Sequence, residues 1–274
     1  ICDDGSTDNT QNIVNNFIEK LDINYICFEN SGGPAYPRNR GIQAAKYDWI
    51  CFLDSDDLWT DNKLEVLAKN IIQNKSFIYC HPVFLVNEAN QKLSIIGNYH
   101  KGLFLNDFES LLYNGNQVVN SSLCVKKSIL TSQYYYNIDH NFQFIEDYLF
   151  ILNLTHGGYK IKCISENLGY YSIHKDNRSS NLSMLINQCK LYFSYKSFTN
   201  INYQKVESLL LYMGTNSESF SNLDKVKTYF KLIFKRQSSF EIKIKSLYKL
   251  FLQLICQLFQ RDKLYKTITK CVVL

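Results

Sequence analysis

The sequence predicts an α/β fold over its first two thirds, a sheet flanked by helices, followed by a helical appendage. Three observations predict it. Short apolar runs alternate with helically spaced ones through the first third of the chain. Acidic loops follow two of those runs, at 3–8 and 54–57, where open α/β sheets hold ligands beyond the carboxyl ends of strands. Charge also divides the chain: residues 1–180 hold 15 Lys/Arg and 20 Asp/Glu, a net of −5, and residues 181–274 hold 15 and 5, a net of +10.

Ile1-Cys2 closes a first strand that runs into Asp3-Asp4-Gly5. Over 10–20, Ile13, Val14, Phe17 and Ile18 recur at helical spacing, with Leu21 just beyond. Residues 23–28 read as a strand. Gly32-Gly33-Pro34 makes a turn that opens a helix over 37–46. Residues 49–53 are continuously apolar, as a fully buried parallel strand is. Residues 58–73 are amphipathic and predict a helix. Further strands are expected near 77–79, 83–86, 123–125, 159–164 and 169–173, and helices at 107–113 and 146–156. From Asn181 the pattern is helical. Leu182, Leu185, Ile186, Cys189 and Tyr192 share one face, and Val226, Tyr229, Phe230 and Ile233 another. Leu247, Leu250, Phe251, Leu254 and Leu258 form a third stripe opposite Lys245 and Lys249. The expected division is therefore an α/β domain over 1–180 and a basic helical region over 181–274.

The chain is 46% hydrophobic and 20% charged, which excludes disorder, and its 3 Pro and 11 Gly exclude collagen-like and linker compositions. No apolar run reaches the roughly 20 residues a spanning helix needs. The nine cysteines include no Cys-x-x-Cys pair, and several sit in apolar surroundings such as Ile50-Cys51-Phe52. They are expected to be buried free thiols in a reducing cytoplasm rather than zinc ligands. The first residues are a strand end rather than a methionine, so the expectation is that a preceding βα unit of about 30 residues is missing.

Three segments carry chemistry. Phe52-Leu53-Asp54-Ser55-Asp56-Asp57 runs a buried strand straight into three carboxylates. Unpaired carboxylates are costly in a core, and a divalent cation relieves their mutual repulsion; Mg²⁺ or Mn²⁺ takes one or two carboxylates plus substrate phosphates. The competing reading is a polar loop in which Asp56 or Asp57 caps a helix starting at Leu58. Asp3-Asp4-Gly5-Ser6-Thr7-Asp8 is a second acidic loop, able to accept hydrogen bonds from a pyrimidine or a ribose, with Asp8 and Thr10 alternatively serving as helix caps. The third, 30–41, combines glycines that allow close backbone approach with Arg38 and Arg40, suited to phosphate. It lacks the Gly-Lys-Ser/Thr of a P-loop.

In this order the three segments resemble the nucleotide-sugar-binding half of family 2 glycosyltransferases of the GT-A fold. The resemblance covers residues 1 to about 180 and implies a mixed, Rossmann-like sheet flanked by helices. It implies that Asp3, Asp4, Arg38 and Asn39 grip base and ribose. It implies that Asp54 and Asp56 form the DxD acids, Asp56 being the direct ligand of Mn²⁺ or Mg²⁺. Relative to the family, the first strand and helix are absent. Phe144-Ile145-Glu146-Asp147 resembles the family's Glu-Asp motif, which makes Asp147 the general base and gives Glu146 a supporting or acceptor-binding role. The segment 170–180 resembles its Tyr-Arg-x-His…Ser segment, with Ser172 where Arg is common. His174 would then touch metal or diphosphate, and Arg178 and Ser180 would close over the diphosphate. Asn120 and Ser121 are acceptor-side candidates.

The resemblance implies a metal-dependent, inverting transfer of a sugar from a nucleotide-diphospho-sugar, a UDP-sugar first, to a glycan or lipid-linked acceptor. Bacterial cell-surface polysaccharide or lipopolysaccharide synthesis is the implied setting. The alternatives are a nucleotidyltransferase of similar fold, which lacks its Gly-rich Lys loop here, and an inactive binding module, which the intact acids disfavour. The basic tail packs its stripes onto the core, or it attaches to an anionic membrane on the inner face of the cytoplasmic membrane. Nucleic acid is not an expected partner, since no known module is visible.

Overall fold

The computed structural model describes residues 1–173 apart from 90, 98–107, 117, 140 and 141, together with isolated helical positions between 191 and 250. His174, Arg178, Ser180, the boundary at 180 and the apolar stripe at 247–258, except Leu247 and Leu250, lie outside the described residues.

The elements follow in the order β1 (Cys2–Asp3), α1 (Thr10–Ile18), β2 (Ile26–Cys27), α2 (Ala35–Ala44), β3 (Trp49–Cys51), β4 (Leu58–Trp59), α3 (Lys63–Gln73), β5 (Ile78–Cys80), β6 (Val83–Asn87), β7 (Lys92–Ile96), α4 (Phe108–Asn114), β8 (Cys124–Lys126), α5 (Glu146–His156), β9 (Ile161–Cys163) and β10 (Gly169–Ile173). They form three sheets. β1 and β2 pair in parallel. A mixed four-stranded sheet runs β3-β8-β5-β9, and a second runs β4-β10-β6-β7. The mixed α/β architecture, with sheets and helices interleaved along the chain, is the class that the sequence predicts.

Two expectations need correcting. The run at 49–53 is not a parallel strand: β3 pairs antiparallel with β8, Ile50 opposite Val125 and Cys51 opposite Cys124. Only Ile50 and Phe52 of the run are buried, Trp49 and Cys51 being half-buried and Leu53 exposed, and apolar composition does not fix strand direction. The helix expected from Leu58 starts at Lys63 instead. Leu58 and Trp59 are drawn into a short strand against β10, where Trp59 pairs Gly169 and Leu58 pairs Tyr170. The Ser172 N–H donates to Asp57 Oδ1 at 3.1 Å, and the Thr60 N–H donates to the Leu168 carbonyl at 3.1 Å, so the chain is held extended through this stretch. β7 was not anticipated; its alternation is broken at the register shift between Leu85 and Val86 on its partner β6.

α5 is the central element. Tyr148 to Leu152 are buried without interruption, as befits a helix surrounded by protein rather than facing solvent on one side. Phe150 stacks on Tyr136 with ring centroids 4.0 Å apart at 7°, and Phe52 from the end of β3 meets both rings edge-on. The main core joins Ile42, Ile50, Ile78, Leu123, Val125 and Ile161 to this helix. Leu191 and Leu232, both helical and fully buried, belong to the same cluster. α1 is less covered than its periodicity suggests: Val14 is buried while Ile13, Phe17, Ile18 and Leu21 are exposed.

Candidate functional site

The site is assembled from the chain just after β3, the middle of α2, the turn before β8 and the start of α5. Arg38 is its hub. Its guanidinium donates through Nη2 to Asp54 Oδ1 at 2.8 Å and through Nη1 to Glu146 Oε1 at 3.4 Å. The ring of Tyr136 lies 5.3 Å from the guanidinium carbon. Burial opposes the Arg38 charge, but Asp54 and the more distant Asp147 outweigh it and hold the group more firmly protonated than an ordinary arginine. One cation thus joins an acid of the loop after β3 to an acid at the N-terminus of α5 that lies 108 residues beyond Arg38 itself.

Asp54 has further partners. Asn120 Nδ2 donates to the same Oδ1 at 3.0 Å, and Tyr136 Oη donates to Asn120 Oδ1 at 2.7 Å. The Asp54 N–H donates to Ser121 Oγ at 3.0 Å. The Ser121 carbonyl in turn receives Trp59 Nε1 at 2.9 Å and Lys63 Nζ at 2.8 Å, and Lys63 sits 3.9 Å above the Trp59 ring. Lys63 is 1% exposed, and burial lowers its pKa to about 8. Asp57 is also buried, its pKa raised to about 6 by desolvation, which outweighs the opposing effects of nearby Ser121 and of the Ser172 N–H. It is not a helix cap; it ties the loop to β10. Asp56, between these two anchored acids, is exposed to solvent.

Asp147 lies in the first turn of α5, where the helix dipole favours an acid. Its Oδ2 receives Asn116 Nδ2 at 3.2 Å, and its Oδ1 receives the Tyr148 N–H at 2.7 Å. Burial and then repulsion from Glu146 raise its pKa to about 6, against the attraction of Arg38. Two residues upstream of Glu146, Phe144 holds φ at 71°. A bulky residue in the left-handed region costs of order 1–3 kcal/mol and persists where surrounding structure enforces it, commonly at functional sites.

The acids after β1 play a different part. Asp3 is buried; it receives the Ser6 N–H at 2.8 Å and the Tyr25 hydroxyl, and the Tyr25 bond above all lowers its pKa. Asp4 Oδ1 receives the Ser31 N–H at 2.8 Å, which ties the glycine-containing loop to the end of β1. Gly5, at φ 77°, passes so close to Asn30 that a Cβ would lie 2.7 Å from its backbone nitrogen. Asn39 faces inward: its Nδ2 donates to the Tyr136 carbonyl at 2.8 Å and its Oδ1 accepts the Tyr136 N–H at 2.8 Å.

The structure therefore brings Arg38, Asp54, Asn120, Ser121, Glu146 and Asp147 into one network. Asp3 and Asp4 organise the adjacent loop. Asn39, Asn120 and Ser121 are buried within the walls of the site. Sequence reasoning missed Tyr136, Lys63, Trp59, Asn116 and the tethering role of Asp57. Only Trp59 had a local signal, as the last residue of the Asp-Ser-Asp-Asp-Leu-Trp run.

Residues 1–123 match the model of glycosyl transferase family 2. Those residues belong to glycosyltransferase family 2. The chain is 32% identical over 155 residues to an uncharacterized glycosyltransferase of Haemophilus influenzae, an alignment covering 56% of this chain and 58% of that protein. The chain thus spans a little over half the length of that relative. It is 28% identical over 183 residues to the Escherichia coli UDP-Glc:alpha-D-GlcNAc-diphosphoundecaprenol beta-1,3-glucosyltransferase WfaP, covering 66% of this chain and 67% of that one. Among solved structures, S. aureus TarS 1-349 in complex with UDP-GlcNAc superposes with a TM-score of 0.54 at 19% identity, over 92% of this chain and 70% of that one. At that identity the likeness speaks for the fold alone. The family match ends before Asp147, so the acid network described above is what extends the site beyond it.

Among the described residues no group of three or more His, Cys, Asp or Glu side chains is poised around a metal position. The chemistry of Asp56 nonetheless fits a hard divalent cation. It is a solvent-facing carboxylate, and Mg²⁺ or Mn²⁺ in nucleotide sites commonly takes one or two carboxylates and fills its remaining positions with water and phosphate oxygens.

Proposed function

We propose that this chain is a metal-dependent, inverting glycosyltransferase that moves a sugar from a nucleotide-diphospho-sugar, a UDP-sugar first, to an acceptor hydroxyl. The acceptor is a glycan or lipid-linked sugar of cell-surface polysaccharide or lipopolysaccharide synthesis, as the names of WfaP and its kind suggest. The observation that carries the reading is Arg38, which couples the DxD acid Asp54 to the Glu146-Asp147 pair. Donor-side and acceptor-side acids are thereby held in one rigid unit.

Asp147 acts as general base. A carboxyl with its pKa near 6 is ionised at neutral pH yet is a stronger base than an exposed aspartate. It takes the proton of the acceptor hydroxyl. That oxygen attacks the anomeric carbon from the face opposite the diphosphate. The bond from the anomeric carbon to the diphosphate oxygen breaks, its electron pair leaves with the nucleoside diphosphate, and configuration inverts. Asp56 and His174 would hold the divalent cation, whose chemistry is to neutralise charge on the leaving diphosphate. Asp3 and Asp4 shape the nucleotide pocket, with Arg38 and Asn39 behind it. Arg178 and Ser180 are proposed to close over the diphosphate. Asn120 and Ser121 hold Asp54 in place, and Glu146 faces the acceptor side. The catalytic domain is proposed to span 1–180. Residues 181–274 are proposed to supply a basic helical region that packs on the core or, alternatively, meets an anionic membrane surface. Among the described residues no helix is long and apolar enough to cross a membrane.

The test is transfer from a panel of nucleotide sugars to lipid-linked acceptors with Mn²⁺ present, with the anomeric configuration of the product read by NMR. Retained configuration, or transfer undiminished in Asp147→Asn, would sink the mechanism. Absence of any nucleotide binding by calorimetry would sink the class.

A further inference from the structure

Among the described residues, two pairs of cysteines face each other across strands of the β3-β8-β5-β9 sheet. Cys51 of β3 stands opposite Cys124 of β8, and Cys80 of β5 opposite Cys163 of β9. Cys124 is the register partner of Tyr79, and Cys80 is the next residue along β5, so the pairs lie on opposite faces. Cys80 belongs to the main core, and its Sγ lies 3.4 Å from that of Cys163. Cys124 belongs to a smaller cluster with Leu67, Tyr79, Ile164 and Leu168, against which Cys51 packs.

The backbone favours a bond between Cys51 and Cys124. The Phe52 N–H donates to the Leu123 carbonyl at 3.2 Å, and the Lys127 N–H to the Asp48 carbonyl at 2.7 Å. Bonded and non-bonded pairs alternate along an antiparallel ladder, which makes Cys51 and Cys124 a non-bonded pair, where facing side chains come closest. The two sulfurs also differ in character. Cys51 is half-buried and Cys124 fully buried. A hydrogen bond from Cys124, aided by the ammonium of Lys63, lowers the Cys51 pKa against its burial. Lys63 is itself buried at the start of α3, and Cys51, then Cys124, then Asp57 favour its charge. On the other face, contact with Cys80 and burial hold Cys163 as a thiol. A sulfur inclined to ionise, partly open to solvent and beside a resolving thiol, is the arrangement that peroxides oxidise.

We propose that Cys51 and Cys124 form a peroxide-sensitive thiol pair whose disulfide displaces the adjoining acid loop and slows transfer. The Cys51 thiolate attacks one oxygen of hydrogen peroxide. The O–O bond breaks, Cys51 becomes a sulfenic acid, and the released hydroxide takes the proton that Cys51 gave up. The Cys124 sulfur then attacks the Cys51 sulfur. The S–O bond breaks, and the hydroxyl leaves as water with the Cys124 proton. Two thiols lose two electrons, and one peroxide becomes two waters. Facing Cβ atoms at such a pair lie about 4.5–5.5 Å apart, and a disulfide draws them to about 3.8 Å. Cys51 stands three residues before Asp54, and Cys124 three after Ser121, whose hydroxyl receives the Asp54 N–H. The strand ends that present Asp54 therefore shift as the bond forms, and Lys63 loses an anionic neighbour. A displacement of about 1 Å at a reacting centre can cost on the order of 10²-fold in rate. The slowed transfer rests on the proposed glycosyltransfer; the disulfide and the loop displacement do not.

The test treats the full chain with stoichiometric hydrogen peroxide, blocks the remaining thiols with iodoacetamide and maps disulfides by mass spectrometry of non-reduced peptides. A Cys51–Cys124 cross-link, reversed by dithiothreitol, should form ahead of any Cys80–Cys163 cross-link. In Cys124→Ser, dimedone should trap a sulfenic acid on Cys51. Hydrogen exchange over 52–57 should change on oxidation of wild type and not of Cys51→Ser. Transfer should fall at least about tenfold as the cross-link forms and recover with dithiothreitol, while Cys51→Ser transfers like reduced wild type and resists peroxide. Cys51 left unmodified, or oxidised without joining Cys124, would overturn the pair. Cross-linked protein with unchanged exchange over 52–57, or with undiminished transfer, would overturn the switch. The cross-link and the exchange change in a protein that transfers nothing when reduced would uphold the displacement and count against glycosyltransfer alone.

Discussion

Replacing Asp147 by Asn should make the protein inactive and, at neutral pH, more stable relative to wild type than at acid pH. Burial raises the Asp147 pKa from the ordinary 3.8 to about 6. The folded protein therefore binds this proton more tightly than the unfolded chain does. The resulting stabilisation is fully present below about pH 4 and is lost as pH rises through about 6. At roughly 1.4 kcal/mol per pH unit of separation, ionised Asp147 costs the folded state on the order of 3 kcal/mol at neutral pH. Asn does not titrate and carries no such cost. It does forfeit one hydrogen bond, because both Asp147 oxygens accept, from Asn116 and from the Tyr148 N–H. That loss is about 1 kcal/mol and independent of pH.

The measurement is urea denaturation of both proteins at intervals from pH 4 to pH 7.5, together with transfer rates over the same range. The difference in stability between Asp147→Asn and wild type should move in favour of the variant by roughly 3 kcal/mol across the window from about pH 4 to about pH 7. Contributions from acids that do not interact with Asp147 cancel in that difference, while those of Glu146 and Asp54 are part of it. Transfer by the variant should fall by about 10² to 10⁴-fold, and wild-type kcat/KM should drop about tenfold per pH unit below about 6. A stability difference that stays flat with pH would refute the desolvated environment assigned to Asp147. A variant that still transfers at the wild-type rate would refute its role as base.

Three further perturbations test other parts of the site. Arg38→Met leaves Asp54 and Glu146 without their shared partner and should cost about 3 kcal/mol in denaturation experiments; Arg38→Lys, a single-point cation, should recover part of the stability and little of the transfer rate. Gly5→Ala must place a Cβ 2.7 Å from the Asn30 nitrogen at a φ of 77°; a loss of at least about 1–2 kcal/mol is expected, together with weaker nucleotide binding by calorimetry. A chelator should abolish transfer and Mn²⁺ should restore it in wild type but not in Asp56→Asn; transfer in the chelator equal to that in Mn²⁺ would remove metal from the mechanism.

Much of this molecule was legible locally. α5 begins and ends where its pattern says, at Glu146 and His156, because a helix buried all round needs a long apolar run with acids at its start. The loops after β1 and β3 were legible as strand-end loops, but the sequence could not show that Asp3, Asp4 and Asp57 serve there as structural tethers. The region after Asp57 was misread because a local amphipathic pattern cannot report a distant competitor. Leu58 and Trp59 continue the apolar spacing of α3, yet β10, more than a hundred residues later, captures them as a strand. The direction of β3 was illegible for the same reason: composition records burial, and pairing with β8 is a long-range choice.

The site's rigidity was hidden most completely, and it bears most on the chemistry. A loop with three acids within four residues should be mobile and self-repelling. Here Lys63 and Trp59 converge on one carbonyl, that of Ser121, while the Ser121 hydroxyl receives the Asp54 N–H. Arg38 and Asn120 then fix the Asp54 carboxylate itself. Asp54 and Asp57 are anchored on either side of Asp56, so the exposed carboxylate between them is carried by a loop held at both flanks. None of these partners is near the loop in sequence except Trp59 and Lys63, and none belongs to a residue type that advertises the role. Electrostatic catalysis depends on groups that need not reorganise as charge develops. By that criterion Ser121, buried and outwardly inert, is expected to matter to the proposed transfer as much as the acids that it orders.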